Sequence, residues 1–234
     1  MIRGLIFDFD GLILDTEVPE FQAWCDVYQQ HGAGLELSAW AVCIGTTSSA
    51  FDAHAHLEAQ LGRSLDRDVL RGAQRSRWAE LIAAQVTLPG VEAYLVAARQ
   101  LGLKVGLASS STRDWVAGHL ARLGLLSYFD CLKCRDDVGR TKPDPLLYTA
   151  ALAALDLRPD EAIALEDSPN GILAAKRAGL YVVAVPNALT GRLDLQQADL
   201  IVPSLGDLPL ETLIARVNVE PETASVAGRT PSAS

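Results

Sequence analysis

The chain has 234 residues, which at roughly 150 residues per domain amounts to one and a half domains, or one core carrying an insertion. Hydrophobic residues make up 49% and charged residues 21%, ordinary globular figures that exclude a disordered, collagen-like or coiled-coil chain. The formal charge of −9, from 29 acids against 20 bases, argues against a binder of nucleic-acid backbone, which needs a basic face.

The first residues, Met1-Ile2-Arg3-Gly4-Leu5-Ile6-Phe7-Asp8, meet acids too soon for a signal peptide. No run reaches the roughly 18 to 20 apolar residues a membrane helix requires. A cytoplasmic chain with no membrane and no obligate protein partner is the expectation. Cys25, Cys43, Cys131 and Cys134 lack the spacing of a disulfide framework and are expected as free thiols.

Leu5-Ile6-Phe7, a tight apolar run that ends in acids and Gly11, reads as a strand buried on both faces. The runs Lys104–Ala108, Ala162–Leu165, Tyr181–Val185 and Leu200–Val202 share that form and stop at polar residues or proline. Helical stripes lie between them. Val91, Tyr94, Leu95, Ala98 and Leu101 follow Pro89-Gly90, and Leu146, Leu147, Ala150, Ala151, Ala154 and Leu155 follow Pro145. Strands alternating with helices predict βαβ units, hence a doubly wound parallel α/β sheet.

From Thr16 to Val86 the alternation stops, and only helical spacing recurs, as at Phe21, Trp24, Val27 and Tyr28 or at Trp78, Leu81 and Ile82. A βα loop usually has about 2 to 6 residues, so this stretch is expected to be an inserted helical cap. The expected division is a Rossmann-like core of residues 1–15 and 87–217, a smaller cap of 16–86, and a disordered tail of 218–234 with little apolar content.

Ligands of an open parallel sheet sit beyond the carboxyl ends of its strands, and unusual polar residues occupy those ends here. In Asp8-Phe9-Asp10-Gly11 two carboxylates at i and i+2 face one side of an extended chain. Such a pair suits one carboxylate as nucleophile and the other as proton carrier. In Glu166-Asp167-Ser168-Pro169-Asn170-Gly171, Ser168 can cap a helix that starts at Pro169, which leaves two acids at the strand end. Asp8, Asp10, Glu166 and Asp167 brought together would repel one another without a cation, and oxygen ligands favour Mg²⁺. Ser109 and Ser110 precede a helix with hydroxyls and backbone N–H groups suited to an anion. Lys142 adds a positive charge, completing the parts list of a phosphoryl-transfer site.

Phe7-Asp8-Phe9-Asp10-Gly11, Leu107-Ala108-Ser109, Thr141-Lys142-Pro143-Asp144-Pro145 and Leu165 to Gly171, in that order, resemble the haloacid dehalogenase superfamily, in particular its capped phosphatase and β-phosphoglucomutase-like branch. The resemblance implies that Asp8 forms an aspartyl-phosphate, that Asp10 protonates the leaving group and then activates water, and that Ser109, Ser110 and Lys142 hold the phosphoryl group. It also implies Mg²⁺ on the Asp8 carboxylate, the Asp10 carbonyl and Asp167, with Glu166 in the inner or outer shell. The implied activity is a Mg²⁺-dependent phosphatase for a small phosphorylated metabolite, of sugar-phosphate type.

Thr141 stands where many relatives place glycine. Val42 to Ser48 resembles the branch's substrate-facing cap segment, with Gly45, Thr46 and Thr47 as candidates, but lacks the arginine that mutases carry just after it. That favours a phosphatase over a phosphomutase, although Arg63, Arg67, Arg71 or Arg75 could supply the charge. Asp10 argues against a dehalogenase, and the long insertion against a receiver-type signalling domain. Cys131-Leu132-Lys133-Cys134 has no second pair at ligand spacing and is given no metal role.

Overall fold

The computed structural model describes residues 1–40 and 51–219. The expectations for Cys43, for Gly45, Thr46 and Thr47, and for the chain beyond 219 lie outside the described residues.

Alternation of apolar side chains builds a two-faced parallel sheet. β1 (Gly4–Phe7), β2 (Lys104–Ala108), β3 (Cys131–Lys133), β4 (Ala162–Glu166), β5 (Tyr181–Ala184) and β6 (Leu200–Ile201) pair in the order β3-β2-β1-β4-β5-β6. Leu5 and Phe7 of β1 face one layer with Ile163, Leu165 and Val183, while Ile6 faces the other with Ala162, Ala164 and Val182. This period of two is what a strand covered on both faces requires. On the first face pack α5 (Val91–Gln100), α6 (Arg113–Arg122) and α9 (Leu210–Val219), and on the second α7 (Leu146–Leu155) and α8 (Pro169–Arg177).

Two sequence readings need correction. β3 was not anticipated: it is a three-residue edge strand, half-buried at each position, with no apolar run to reveal it. In α7 the buried stripe is Leu147, Tyr148, Ala151, Leu152 and Leu155, whereas Leu146 and Ala154 are exposed. The helix is apolar nearly all round, so no polar face sets the phase of its stripe. Smaller differences are the last strand, which ends at Ile201, and α9, which runs on to Val219.

The insertion is helical among its described residues: α1 (Glu17–Gln30), α2 (Leu37–Trp40), α3 (Ala53–Leu61) and α4 (Arg67–Ala83). Val27, Tyr28, Trp40, Leu57 and Leu70 bury together around α1, with Leu189 of the sheet part closing the cluster. Asp52 and Asp66 cap α3 and α4 through their carboxylates, as expected of Asp at an N-cap. The two connections to the sheet run side by side, bridged between Leu14 and Thr87 and by Leu88 N–H to the Ile13 carbonyl at 2.9 Å. No helix among the described residues is long and apolar enough to cross a membrane.

Register positions the site. Phe7 pairs with Leu107 on one side and Leu165 on the other, so Asp8, Ala108 and Glu166 end their strands at one level. Chain order reverses at β1, making this the crevice where such sheets bind ligands.

Candidate active site

Asp8 follows the most central strand and is buried, with Lys142 Nζ 2.5 Å from its Oδ1. The same ammonium is 2.6 Å from Glu166 Oε1, and the Lys142 side chain is only 6% exposed. Tyr148 donates its hydroxyl to Glu166 Oε1 at 2.7 Å and lies beneath the ammonium. Glu166 Oε2 accepts from Asp167 N, Ser168 N and Ser168 Oγ. Five donors therefore address a carboxylate with about four lone-pair sites.

Ser168 also receives Gly171 N–H at 3.2 Å, so the cap expected before Pro169 is present and α8 starts there. Asp167, buried, accepts from Asn187 Nδ2 at 2.9 Å on Oδ2. Gly11 (φ +82°) turns the chain back just here, and a Cβ on it would overlap Asp167 and crowd Asn187. Glycine meets both demands, a left-handed backbone and a close approach.

One ammonium among three buried carboxylates leaves surplus negative charge, and the titration of the groups follows. Burial pushes the Asp8 carboxyl up to about 8, with Glu166 and Asp10 adding to the rise and Lys142 opposing it. Burial, then Glu166 and Asp8, hold Asp167 well above the carboxylate range. Burial works against the Lys142 charge, but Asp8 and Glu166 outweigh it and keep the ammonium protonated.

Ligand oxygens of Asp8, Glu166 and Asp167 lie within 4.8 Å of one another. The hydrogen bonds described for Asp8 fall on Oδ1 and those for Asp167 on Oδ2. An all-oxygen, net-negative set fits a hard divalent ion. Glu166 stands in the same cluster while its oxygens also accept from protein donors.

Asp10 is placed differently. Its Oδ2 accepts from Ser111 Oγ at 2.6 Å and Ser109 Oγ at 3.3 Å, and its Oδ1 from Trp115 Nε1 at 3.0 Å. Ser109 is fully buried with its hydroxyl on Asp10, while Ser110 faces the cavity. That cavity, about 180 Å³, is lined by Asp8, Asp10, Ser110, Lys142 and Asp167 together with Glu17 from the insertion. A wider cleft of about 430 Å³ adjoins it, sharing Asp10, Glu17 and Ser110 and reaching Glu20, Trp78 and Arg135. Burial, with Glu20 and Asp10 nearby, raises Glu17 to about 7.

Every expected site residue within the described chain thus converges on one crevice. Sequence reasoning missed the parts of Glu17, Trp115, Tyr148 and Asn187. Asn187 follows β5 across Pro186 and was open to the same strand-end argument. Tyr148 was hidden by the misphased stripe of α7. Cys131 packs on the α7 layer and Cys134 on the opposite one, so the pair shares no site.

A sequence profile described as haloacid dehalogenase-like hydrolase matches residues 5–185. Among relatives, YhcW of Bacillus subtilis (strain 168), a protein with a phosphatase designation, is 45% identical over 218 residues, covering 93% of this chain and 99% of its own. Validoxylamine A 7'-phosphate phosphatase of Streptomyces hygroscopicus subsp. limoneus is 32% identical over 208 residues, covering 89% and 96%. A crystal structure of a HAD family hydrolase from Deinococcus radiodurans R1 with bound phosphate and sodium superposes with a TM-score of 0.75 at 26% identity, covering 93% of this chain and 96% of that one. With six parallel strands, the helical insertion after the first of them and the acidic crevice at the switch point, the chain belongs to the haloacid dehalogenase-like hydrolases.

Proposed function

We propose that the protein is a Mg²⁺-dependent phosphatase, a phosphoric monoester hydrolase for a small phosphorylated metabolite of sugar type. The observation that carries the reading is the buried Asp8 carboxylate, held by Lys142 at 2.5 Å on the floor of a cavity it shares with Asp10. In this reading residues 16–86 form the cap domain over a core of 1–15 and 87–217.

Asp8 attacks phosphorus through a carboxylate oxygen, the ester P–O bond breaks, and Asp10 gives its proton to the departing alkoxide. Water then attacks the aspartyl-phosphate while Asp10 takes back a proton. The Asp8–phosphorus bond breaks, and inorganic phosphate leaves. Lys142 and the Ser110 region neutralise and orient the equatorial oxygens. Asp8, Asp167 and the Asp10 backbone carbonyl would hold Mg²⁺, with Glu166 behind them. When bound, the ion supplies positive charge that screens the attacking carboxylate from the phosphate dianion.

Two features support a polyhydroxylated leaving group. Glu17 and Glu20 line the outer cleft, and carboxylates accept hydrogen bonds from hydroxyls. A second phosphate, which a mutase must grip, would meet these acids there, with Arg135 as the one cation among the described lining residues. One relative's name, with its phosphorylated validoxylamine, points to a small phosphorylated metabolite.

The test is phosphate release across a panel of phosphorylated metabolites with and without Mg²⁺, with Asp8→Asn as control and β-glucose 1-phosphate plus a bisphosphate primer included. The expected outcome is Mg²⁺-dependent release that Asp8→Asn abolishes, a loss of about 10⁴-fold or more for a removed nucleophile. Release that survives Asp8→Asn would overturn the nucleophile. Conversion of the primed sugar phosphate without net phosphate release would make the protein a mutase.

A further inference from the structure

Trp115 stands on the core helix α6 with its ring against the insertion and its N–H in the active site. The indole donates to Asp10 Oδ1 at 3.0 Å while Ser111 Oγ holds Oδ2 at 2.6 Å, so each oxygen of that carboxylate has its own donor. Trp78 of α4 stacks on the Trp115 ring with centroids 4.9 Å apart and planes at 11°, and His119 meets it edge-on at 4.2 Å. Trp78 is tied in turn to the connection into α1, its Nε1 lying 3.4 Å from the Thr16 carbonyl. The indole is held on a face by Trp78 and on an edge by His119 while its N–H meets Asp10.

We infer that Trp115 is a positioning residue for proton transfer: its N–H orients the Asp10 carboxyl, and its stack with Trp78 makes that orientation depend on the seating of the inserted helices. The inference rests on the reading of Asp10 as acid and base. An indole N–H donates only, so Oδ1 is kept as an acceptor. Oδ2 faces serine hydroxyls, which can donate or accept. Simple space-filling would require neither a particular oxygen nor an indole nitrogen.

Two measurements test this. In a ¹H–¹⁵N spectrum the four tryptophans give four indole N–H signals, and Trp115→Phe identifies one by its loss. Asp10→Ala is expected to move that signal upfield; an unmoved signal overturns the contact.

The second compares kcat/KM, which reports steps through the first phosphoryl transfer, for phenyl phosphate and 2,4-dinitrophenyl phosphate with Mg²⁺ present. Phenolate needs a proton on leaving, whereas dinitrophenolate does not. Trp115→Phe keeps the stacked ring and is expected to lower kcat/KM for phenyl phosphate about tenfold, the worth of one well-placed hydrogen bond, with less than about twofold change for the activated ester. Trp78→Ala is expected to shift the ratio of the two substrates the same way, and an unchanged ratio there overturns the role of the stack. Equal losses on both substrates with Trp115→Phe overturn the positioning role. If Asp10→Ala itself leaves the ratio at the wild-type value, the acid role of Asp10 fails. A changed ratio with Asp10→Ala and an unchanged one with Trp115→Phe overturn this inference alone.

Discussion

Glu166 ends β4 fully buried, and its carboxylate is surrounded by Lys142, Tyr148, two backbone N–H groups and the Ser168 hydroxyl. Gly171, three residues into α8, lies so close that a Cβ would overlap the whole carboxylate. In an ordinary helix Gly→Ala stabilises by about 1 kcal/mol. At Gly171 the sign is expected to reverse, with Gly171→Ala lowering stability by about 2 kcal/mol through overpacking and reducing activity as Lys142 loses its partner. Urea unfolding and phosphate release measured on the same preparation check both effects. Part of this was legible beforehand: Ser168 and Pro169 announce a helix start through contacts within four residues. Tyr148 and Lys142 reach Glu166 from distant loops and helices, and no local pattern in residues 166–171 encodes that meeting.

At the scale of elements, the sheet part and the insertion meet along α4 and α6. Besides the Trp78–Trp115 stack, Arg122 of α6 donates to the carbonyls of Ile82, Ala83 and Gln85 at 3.4, 3.3 and 2.9 Å, around the end of α4. The last carbonyls of a helix lack intrahelical partners and carry partial negative charge, so a guanidinium there is favourable. Arg122→Ala is expected to cost about 1 kcal/mol, the worth of exposed hydrogen bonds to a charged donor. Hydrogen exchange should quicken at residues 82–88 and stay unchanged in β1 and β4. Faster exchange throughout the sheet would show instead that Arg122 supports the core. The existence of α4 was readable from Trp78, Leu81 and Ile82, because periodicity is local. Its seating on α6 was not, because Arg122 lies forty residues from Ile82 in sequence and reads as one more solvated cation.

For the whole molecule, the acidic crevice is expected to make stability depend on pH and, on the proposed reading, on Mg²⁺. Burial raises Asp8 from 3.8 to about 8 and Glu17 from 4.5 to about 7. A carboxyl with a raised folded pKa binds its proton more tightly in the folded state. Its stabilising effect is full below the unfolded value and is lost as pH climbs through the folded one. The metal-free protein is therefore expected to lose stability from about pH 4 to about pH 8. Lys142, also raised, contributes in the same sense, its stabilising effect being lost as pH climbs, but only at much more alkaline pH. A divalent cation competes with those protons, so Mg²⁺ should stabilise more at pH 8 than at pH 5. At 100 times its Kd the gain is about 2.7 kcal/mol, or about 5 to 10 °C in Tm for a chain of this size. Thermal melts at the two pH values, with EDTA or Mg²⁺, check this; an equal Mg²⁺ shift at both would refute the link between the crevice acids and the ion.

The sequence by itself determined the alternation of strands and helices, the position of the helical insertion and the residues at the strand ends, Asp8, Asp10, Ser109, Glu166 and Asp167. These follow from hydrophobic period and turn chemistry, which act over a few residues. Tertiary structure alone decided that β3 joins the sheet edge, that α7 turns Tyr148 inward, and that Lys142 lies between Asp8 and Glu166. It also decided that Asp10 rests on Ser111 and Trp115. Each of these is a contact between segments far apart in the chain, and its energy comes from burial and paired charge that exist only once the layers have packed.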